Sequence, residues 1–326
     1  MKKSALLLVL SLWVLSGCTG INVSLLPATN PLEEKVLEGK GTPKILLVDL
    51  DGVISFKEET DKLQLSARPS KVAFFREALR KAEADSDIAG VILRINSPGG
   101  TVAASDTIYH EIMSFKQRRK IPVNAYIMEL CASGGYYVAS ASDRIIASPT
   151  AVTGSIGVIV MKFNIEELLS KIGVSAETYK SGPKKDFWSP FRPSTEEEKK
   201  MLQDIVDKLY TRFVEVVYAN RQKLLTEQEV KALADGRILT ASGALEARLI
   251  DQVSYLDETI DAMKKALNIE QARVITYIRP KTFKSNIYSE YSEMPLLGSP
   301  VINLISINAE ELSLFSGVQF MYLWNP

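Results

Sequence analysis

Short apolar runs separated by longer amphipathic stretches are the feature that most constrains the fold of this chain. Four apolar runs, which are predicted strands, occupy residues 45–50, 91–95, 123–128 and 144–147. Amphipathic stretches, which are predicted helices, occupy residues 71–84, 106–118 and 133–141. Alternation of helices with strands that are apolar along their whole length is typical of a parallel sheet covered on both faces. The sequence therefore predicts an α/β fold with a mostly parallel sheet and flanking helices.

The first residues have the pattern of an export signal. Lys2 and Lys3 precede an apolar run over residues 5–15 that is too short to span a membrane. The run ends in Leu-Ser-Gly-Cys, which resembles the lipobox of bacterial lipoproteins and implies that Cys18 becomes the lipidated first residue of the mature protein. An ordinary signal peptide that happens to carry a cysteine is the alternative. The residue after Cys18 is Thr19 rather than an aspartate, which favours the outer membrane if the host has two membranes.

Composition divides the chain into four ranges. Residues 1–17 are the predicted lipoprotein signal peptide, 18–42 a lipidated linker, 43–280 the main domain and 281–326 an apolar C-terminal extension. From residue 285 onward the sequence contains no lysine or arginine, although apolar and aromatic residues are frequent. Such a segment is expected to bury against a surface. That surface belongs to its own domain, to a neighbouring subunit or to the membrane.

The scarcity of histidine and cysteine excludes several kinds of chemistry. The chain has one histidine, His110, inside a predicted helix, whereas a Ser-His-Asp triad needs one beside the serine. A catalytic zinc site usually draws on two or three imidazoles, so no metal is expected. Cys131 is the only cysteine besides Cys18, and acylation of Cys18 would leave no intramolecular disulfide. The net charge is zero, which disfavours a nucleic-acid partner.

Turns marked by glycine follow the predicted strands. They occupy residues 96–100, 131–135 and 153–157. In a parallel sheet, such loops gather at one edge, where active sites form. The glycines around Gly100 allow a backbone N–H to point into a cleft, as in an oxyanion hole. Ser133 precedes two glycines and a predicted helix, so it is either a nucleophile or a plain N-cap.

A basic segment supplies the candidate general base. Lys184 and Lys185 lie beside Phe187 and Trp188, within residues 181–190. A lysine acts as a general base only when its ammonium group is withdrawn from water, and apolar neighbours are the usual means. Most lysines in such segments are solvated surface residues, which is the alternative interpretation.

Taken in order, these motifs resemble a known family. Four segments carry the resemblance: Asn-Ser-Pro-Gly-Gly at 96–100, Ala-Ser-Gly-Gly-Tyr-Tyr at 132–137, Thr-Gly-Ser-Ile-Gly-Val at 153–158 and Ser-Gly-Pro-Lys-Lys-Asp at 181–186. They are similar to the SppA-type signal peptide peptidases, bacterial proteases with a serine-lysine dyad. The resemblance covers residues 45–253 and corresponds to the short, single-unit version of the family. It implies that Ser133 is the nucleophile, Lys185 the base, Ser155 the hydroxyl that orients the lysine, and Gly100 the oxyanion-hole donor.

The resemblance also implies a fold, an assembly and a substrate class. The fold would be that of the crotonase-like superfamily, which includes the Clp protease subunit. Its members form homo-oligomeric rings in which neighbouring subunits complete each active site. The protein would then be a lipid-anchored serine endopeptidase that needs no cofactor and hydrolyses cleaved signal peptides or other apolar peptides. Lys184 would exchange roles with Lys185 if the register of the motif slipped by one residue.

Two other functions compete with this one. Residues 46–54 match the nucleophile motif of haloacid-dehalogenase-type phosphatases, with Asp49 as nucleophile, Asp51 as acid and base, and magnesium as cofactor. Ser97 would then bind phosphate, but no late acidic pair completes the metal site. The second competitor is a catalytically inactive scaffold ring at the membrane. Such a protein would normally have lost the motif serine or lysine, and this chain retains both.

Overall fold

A computed structural model of the protein describes residues 31–60, 67–280, 282–283, 286–288, 292–293 and 319–324. The predicted signal peptide, the predicted lipidation site Cys18 and most of the range 281–326 lie outside the described residues. What the sequence predicts for these residues stays a prediction.

The elements follow one another along the chain. The helices are α1 (Lys71–Ala84), α2 (Val102–Arg119), α3 (Gly134–Ala139), α4 (Glu166–Lys171), α5 (Glu196–Arg221), α6 (Glu227–Leu233), α7 (Ala241–Glu246) and α8 (Leu256–Ala266). The strands are β1 (Glu33–Gly39), β2 (Lys44–Asp51), β3 (Glu59–Thr60), β4 (Ala67–Arg68), β5 (Ile88–Ser97), β6 (Gly99–Thr101), β7 (Val123–Ala132), β8 (Arg144–Ala147), β9 (Val152–Gly154), β10 (Ile238–Thr240), β11 (Gln252–Val253), β12 (Arg273–Ile278), β13 (Thr282–Phe283), β14 (Ser292–Glu293) and β15 (Met321–Leu323).

One nine-stranded sheet organises the molecule. Its strands lie in the order β1-β12-β2-β5-β7-β8-β11, and β9 pairs with both β7 and β10. The pairs β12·β2, β2·β5, β5·β7, β7·β8, β7·β9 and β8·β11 are parallel, whereas β1·β12 and β9·β10 are antiparallel. The predicted α/β fold with a mostly parallel sheet and flanking helices is confirmed.

Both faces of the sheet are buried. Along β2, Leu46, Val48 and Leu50 face a large apolar cluster that includes α1, α2, α3 and part of α5. Ile45 and Leu47 alternate with them and face a smaller cluster that includes α8. Adjacent residues of a strand point to opposite faces, so a strand buried on both faces must be apolar throughout. This requirement explains the unbroken apolar runs in the sequence.

The sheet extends beyond the range predicted for the main domain. Strand β1 pairs with β12 and lies inside the range 18–42, which the sequence analysis assigned to a linker. The last described residues of the chain form β15, which pairs with β6. Within the described residues, no helix is long and apolar enough to cross a membrane.

A capping box marks the start of α5. The segment 194–197 has the pattern of a capping box, but the box lies one residue later. The Thr195 hydroxyl accepts a hydrogen bond of 3.2 Å from the Glu198 amide, and the Glu198 carboxylate accepts one of 2.9 Å from the Thr195 amide. The Ser194 hydroxyl instead accepts a hydrogen bond of 2.8 Å from the Lys162 ammonium.

Candidate active site

Ser133 occupies a sharp turn between β7 and α3. Its backbone angles are φ 52° and ψ −113°, in a region that costs energy for a residue other than glycine. The Ser133 amide donates a hydrogen bond of 2.8 Å to the Gly154 carbonyl, and the Tyr137 amide donates one of 2.9 Å to the Ser133 carbonyl. The Ser133 hydroxyl makes no cap hydrogen bond to the helix. The plain N-cap interpretation is therefore wrong, and the hydroxyl remains available for chemistry.

The glycine-rich loop packs directly against this turn. A Cβ atom on Gly100 would lie 2.0 Å from the Ile54 carbonyl oxygen. A Cβ atom on Gly134 would lie 3.0 Å from the Gly100 amide nitrogen. The two backbones approach too closely for side chains, so glycine is required at both positions. The predicted oxyanion donor, Gly100, thus lies beside the residue that follows Ser133.

Ser155 lies on a second strained turn that adjoins the first. It follows β9, has a φ of 53°, and its amide donates a hydrogen bond of 2.7 Å to the Arg237 carbonyl. Its neighbour Gly154 accepts the hydrogen bond from the Ser133 amide. The structure therefore brings together the loops that carry Ser133, Ser155 and Gly100.

Lys185 is placed differently from the other predicted site residues. It lies in an exposed series of turns between α4 and α5. In the part of the chain that the structure describes, its ammonium group makes no ion pair and no hydrogen bond to the Ser133 hydroxyl. The neighbouring Lys184 forms an ion pair with Glu197 at the start of α5. Within one chain, the structure does not bring Lys185 to Ser133.

A network of ion pairs fixes the segment that carries Lys185. The Asp186 carboxylate accepts hydrogen bonds of 2.8 and 3.0 Å from the Arg192 guanidinium and one of 2.7 Å from the Lys180 ammonium. Arg192 also donates to Glu198, at 2.6 and 2.9 Å. Hydrogen bonds from Arg192 and then Lys180 lower the pKa of Asp186. Hydrogen bonds from Arg192 and the Thr195 amide lower the pKa of Glu198 to about 2.

This network was not predicted from the sequence, although its members are evenly spaced. Lys180, Asp186, Arg192 and Glu198 are charged residues of alternating sign, each six positions after the one before. Six residues is not a helical or strand period, so the pattern carried no signal for an ion-pair network.

The C-terminal strand lies along the glycine-rich loop. Strand β15 pairs antiparallel with β6, with Tyr322 opposite Gly100. The Tyr322 ring is fully buried and stacks on Tyr137, with 5.0 Å between ring centroids. The ring of Phe213 lies 4.5 Å away between centroids. The tail was predicted to bury against some surface, and its described end buries against its own domain, at the candidate site.

Ser105 is another residue at the site that was not predicted from the sequence. Its hydroxyl is fully buried and has no hydrogen-bond partner among the described residues. A Cβ atom on Gly134 would lie 2.5 Å from this oxygen, so the hydroxyl borders the Ser133 turn. No sequence signal marked it, because small polar residues are common in the first turns of helices such as α2.

The residues of the phosphatase interpretation have structural contacts instead. The Asp49 carboxylate forms an ion pair of 2.7 Å with Arg94, and their side chains are 1% and 2% exposed. The Ser97 hydroxyl donates a hydrogen bond of 2.6 Å to the Gly52 carbonyl and accepts one of 3.1 Å from the Gly99 amide. Among the described residues, no group of three histidine, cysteine or carboxylate side chains is arranged to hold a metal ion. Asp49 and Ser97 thus make structural contacts at the edge of the sheet.

Comparisons with known proteins identify relatives of the chain. A profile described as "Peptidase family S49" matches residues 115–270. A protein of Enterococcus faecium, named as an SppA signal peptide peptidase, is 38% identical over 260 residues, or 79% of this chain and 74% of its own length. A protein of Methanocaldococcus jannaschii, named as a protease, is 29% identical over 277 residues, or 85% of this chain and 87% of its own.

Two further matches differ more in length or similarity. Protease 4 of Haemophilus influenzae is 32% identical over 228 residues, which are 70% of this chain but 35% of its own. The solved structure of a mutant 1510-N membrane-bound stomatin-specific protease matches 68% of this chain and 85% of that chain. Its TM-score is 0.44 and its sequence identity is 17%.

Proposed function

The chain belongs to the SppA-type S49 family of serine peptidases, and on that premise we propose that it is a membrane-tethered endopeptidase with a Ser133–Lys185 dyad. The observation that carries the proposal is the strained turn at Ser133. Its hydroxyl is left unused by the helix that it precedes, and it lies beside a glycine backbone suited to an oxyanion. Strain of this kind persists where the surrounding structure enforces it, and it clusters at active sites.

In the proposed mechanism, neutral Lys185 removes the proton of the Ser133 hydroxyl as its oxygen attacks the scissile carbonyl. The Gly100 amide donates a hydrogen bond to the oxyanion, and Ser155 orients the lysine. Charged Lys185 then gives its proton to the leaving amine, and an acyl-enzyme remains. Lys185 next activates a water molecule that hydrolyses the ester. The rate of this reaction falls at acid pH, where the lysine stays protonated.

We place the two members of the dyad on neighbouring subunits of a homo-oligomeric ring. Ser133 is buried at the carboxyl edge of the sheet, whereas Lys185 is exposed on a segment outside the sheet. The chain from residue 163 to residue 191, which includes this segment, exposes large apolar side chains, namely Phe163, Leu168, Ile172, Tyr179 and Phe191. Exposed apolar patches of this kind usually mark protein interfaces. Contact with a second copy would cover this surface and withdraw Lys185 from water.

The proposed substrates are cleaved signal peptides and other apolar peptides of the membrane. An extended peptide would add a strand to an exposed backbone edge of the cleft, so that main-chain hydrogen bonds hold it with little dependence on sequence. Lipid on Cys18 would keep the enzyme at a membrane surface, and at the outer membrane in a host with two membranes. The relative from Enterococcus faecium carries the name of a signal peptide peptidase, which agrees with this substrate class.

Covalent labelling tests the proposal directly. The purified wild-type oligomer, Ser133→Ala and Lys185→Ala are each incubated to completion with a fluorophosphonate probe and analysed by intact mass. We expect one adduct per chain in the wild type, located on Ser133 by peptide mapping, and none in either variant. Absence of labelling in the folded wild-type oligomer would overturn the proposal and favour the inactive scaffold.

A further inference from the structure

Ser105 interrupts the apolar stripe that α2 buries in the core. The other residues buried by this helix are Ala104, Ile108, Ile112 and Phe115. Ser105 is fully buried among them, and its hydroxyl has no hydrogen-bond partner among the described residues. Burial of an unpaired hydroxyl destabilises a fold, and an alanine of nearly the same size would avoid that cost. Packing alone therefore does not explain a serine here, whereas a catalytic role is a recognised reason for such a group.

The Ser105 hydroxyl lies beside the two turns that carry the proposed chemistry. Helix α2 begins directly after β6, so Ser105 follows the glycine-rich loop closely along the chain. A Cβ atom on Gly134 would lie 2.5 Å from the Ser105 oxygen and 3.0 Å from the Gly100 amide nitrogen. The two polar groups therefore converge on one small volume, next to the residue that follows Ser133. The glycine at position 134 keeps side-chain atoms out of that volume.

The proposed reaction develops negative charge beside the Gly100 amide. When the Ser133 oxygen bonds to the scissile carbonyl carbon, the π electrons of that carbonyl move to its oxygen, and Lys185 takes the serine proton. Donors that already point at this oxygen stabilise the transition state without having to reorganise. The Ser105 O–H has no competing acceptor among the described residues. It is therefore free to donate to an oxygen that carries charge only during the reaction.

We propose that Ser105 is a catalytic residue whose hydroxyl donates a hydrogen bond to the oxyanion, alongside the Gly100 amide. This inference rests on the proposed peptidase function. The hydroxyl keeps its proton throughout, and its hydrogen bond is released when the carbonyl re-forms and the amine leaves with the proton from Lys185. An interaction made only in the transition state raises kcat rather than lowering KM. The competing explanation is a small residue that merely allows α2 to approach Gly134.

The variant Ser105→Ala separates the two explanations. Loss of an oxyanion donor should lower kcat about a hundredfold and leave KM within about twofold of the wild type. A residue that is merely small predicts an unchanged kcat, because alanine is smaller still. Hydrolysis of the apolar peptide that the wild-type oligomer cleaves fastest measures both constants. The midpoint of urea unfolding should stay the same or rise, because the variant loses a buried hydroxyl without a partner.

Ser142 provides the matched control. Its hydroxyl is also buried and without a partner among the described residues. Ser142 lies shortly before β8, which runs parallel to β7, so it lies at the opposite edge of the sheet from Ser133. We expect Ser142→Ala to have the same effect on the urea midpoint as Ser105→Ala, and to leave kcat unchanged. Equal kcat values for the two variants would overturn the inference.

A transition-state analogue tests the contact with the oxyanion itself. An apolar peptide aldehyde takes up the Ser133 oxygen and forms a hemiacetal, whose oxygen occupies the oxyanion position, whereas the corresponding peptide alcohol cannot. The preference of the enzyme for the aldehyde over the alcohol should fall in Ser105→Ala about as much as kcat. A packing defect would weaken both inhibitors alike.

The variant Ser105→Cys covers the case in which alanine disturbs the packing. It keeps a side chain of similar shape with a weaker donor, so its kcat and its preference for the aldehyde should lie between those of the wild type and Ser105→Ala. An undiminished preference in both variants of an active enzyme would overturn the inference alone. Absence of peptide hydrolysis in the folded wild-type oligomer would instead overturn the proposed peptidase function.

Discussion

The Ser133 amide donates a 2.8 Å hydrogen bond to the carbonyl oxygen of Gly154, and this bond joins the two strained turns of the candidate site. It continues the parallel pairing of β7 with β9, in which Ala132 lies opposite Gly154. Ser133 and Ser155 both have positive φ angles, and neither is glycine. The ladder between the strands therefore holds both serines in conformations that they would not adopt alone.

This relationship predicts the effect of a change at Gly154. Gly154 has a φ of +101°, and a Cβ atom there would lie 2.9 Å from the Arg237 carbonyl oxygen. We expect Gly154→Ala to destabilise the fold by about 1–3 kcal/mol because of backbone strain. It should also lower kcat more than it raises KM, since the Ser133 turn shifts. Urea unfolding and peptide hydrolysis measure the two effects.

Gly243→Ala is the matched control for Gly154→Ala. Gly243 lies in α7, and the nearest atom to a Cβ there would be at 3.5 Å, an ordinary contact. Replacement of a helical glycine by alanine should stabilise the fold by up to about 1 kcal/mol and leave kcat unchanged. Equal kcat values for Gly154→Ala and Gly243→Ala would contradict the assignment of the Gly154 turn to the active site.

The two adjacent lysines are predicted to differ sharply in their effect on activity. Lys185→Ala should abolish peptide hydrolysis as completely as Ser133→Ala, because the members of a dyad act as a unit. Lys184→Ala removes an ion pair with Glu197 whose two side chains are 39% and 71% exposed, so it should lower activity by less than about twofold. Loss of activity in Lys184→Ala with activity retained in Lys185→Ala would reverse the assignment.

Mixed oligomers test whether the dyad spans two subunits. Inactive Ser133→Ala and inactive Lys185→Ala proteins are dissociated, mixed and reassembled. If each site takes its serine from one chain and its lysine from the next, some sites in the mixture contain both, and a substantial fraction of the wild-type activity returns. If both groups come from one chain, every site lacks one of them and the mixture stays inactive.

Much of the fold and part of the site could be predicted from the sequence because the signals are local. Apolar runs fixed the parallel strands, and the glycine pairs at Gly100 and Gly134 marked close backbone contacts beside Ser133. The contact between Tyr322 and Gly100 could not be predicted, because strand register between distant segments depends on packing of the whole domain. Nor could the buried Ser105 hydroxyl, since a short polar residue near a helix start has no distinctive pattern. Nor could the position of Lys185 in the proposed assembly, because no local pattern shows which surface of a second subunit would contact it.

Asp49 provides a test that separates a structural carboxylate from a catalytic one. Asp49→Asn removes the carboxylate charge from the buried ion pair with Arg94, and breaking such a pair costs about 3–5 kcal/mol. We expect a destabilised protein whose folded fraction keeps its peptidase activity. The exposed Asp261→Asn should change stability by less than about 0.5 kcal/mol. Wild-type stability in Asp49→Asn, together with loss of a magnesium-dependent phosphatase activity, would restore the phosphatase interpretation.

The lowered pKa of Glu198 predicts how acid changes the stability that its ion pair gives to the segment carrying Lys185. Hydrogen bonds from Arg192 and the Thr195 amide lower its pKa from 4.5 to about 2 in the folded protein. A carboxylate with a lowered folded pKa stabilises the fold above its unfolded pKa, and this contribution is lost as pH falls through the folded value. Glu198→Gln should therefore be less stable than the wild type by a constant amount from pH 7 to about pH 5.

Below that range the difference between wild type and Glu198→Gln should shrink, and it should vanish as the pH falls through about 2. Denaturant unfolding at a series of pH values from 7 to about 2 measures this difference in stability. Glu197→Gln removes a carboxylate that is 71% exposed, so its stability should follow the wild type at every pH. A Glu198→Gln difference that persists unchanged to pH 2 would mean that lost packing, rather than the ion pair with Arg192, destabilises the variant. Convergence of the two curves would instead show that the charge of Glu198 anchors the segment between Asp186 and α5.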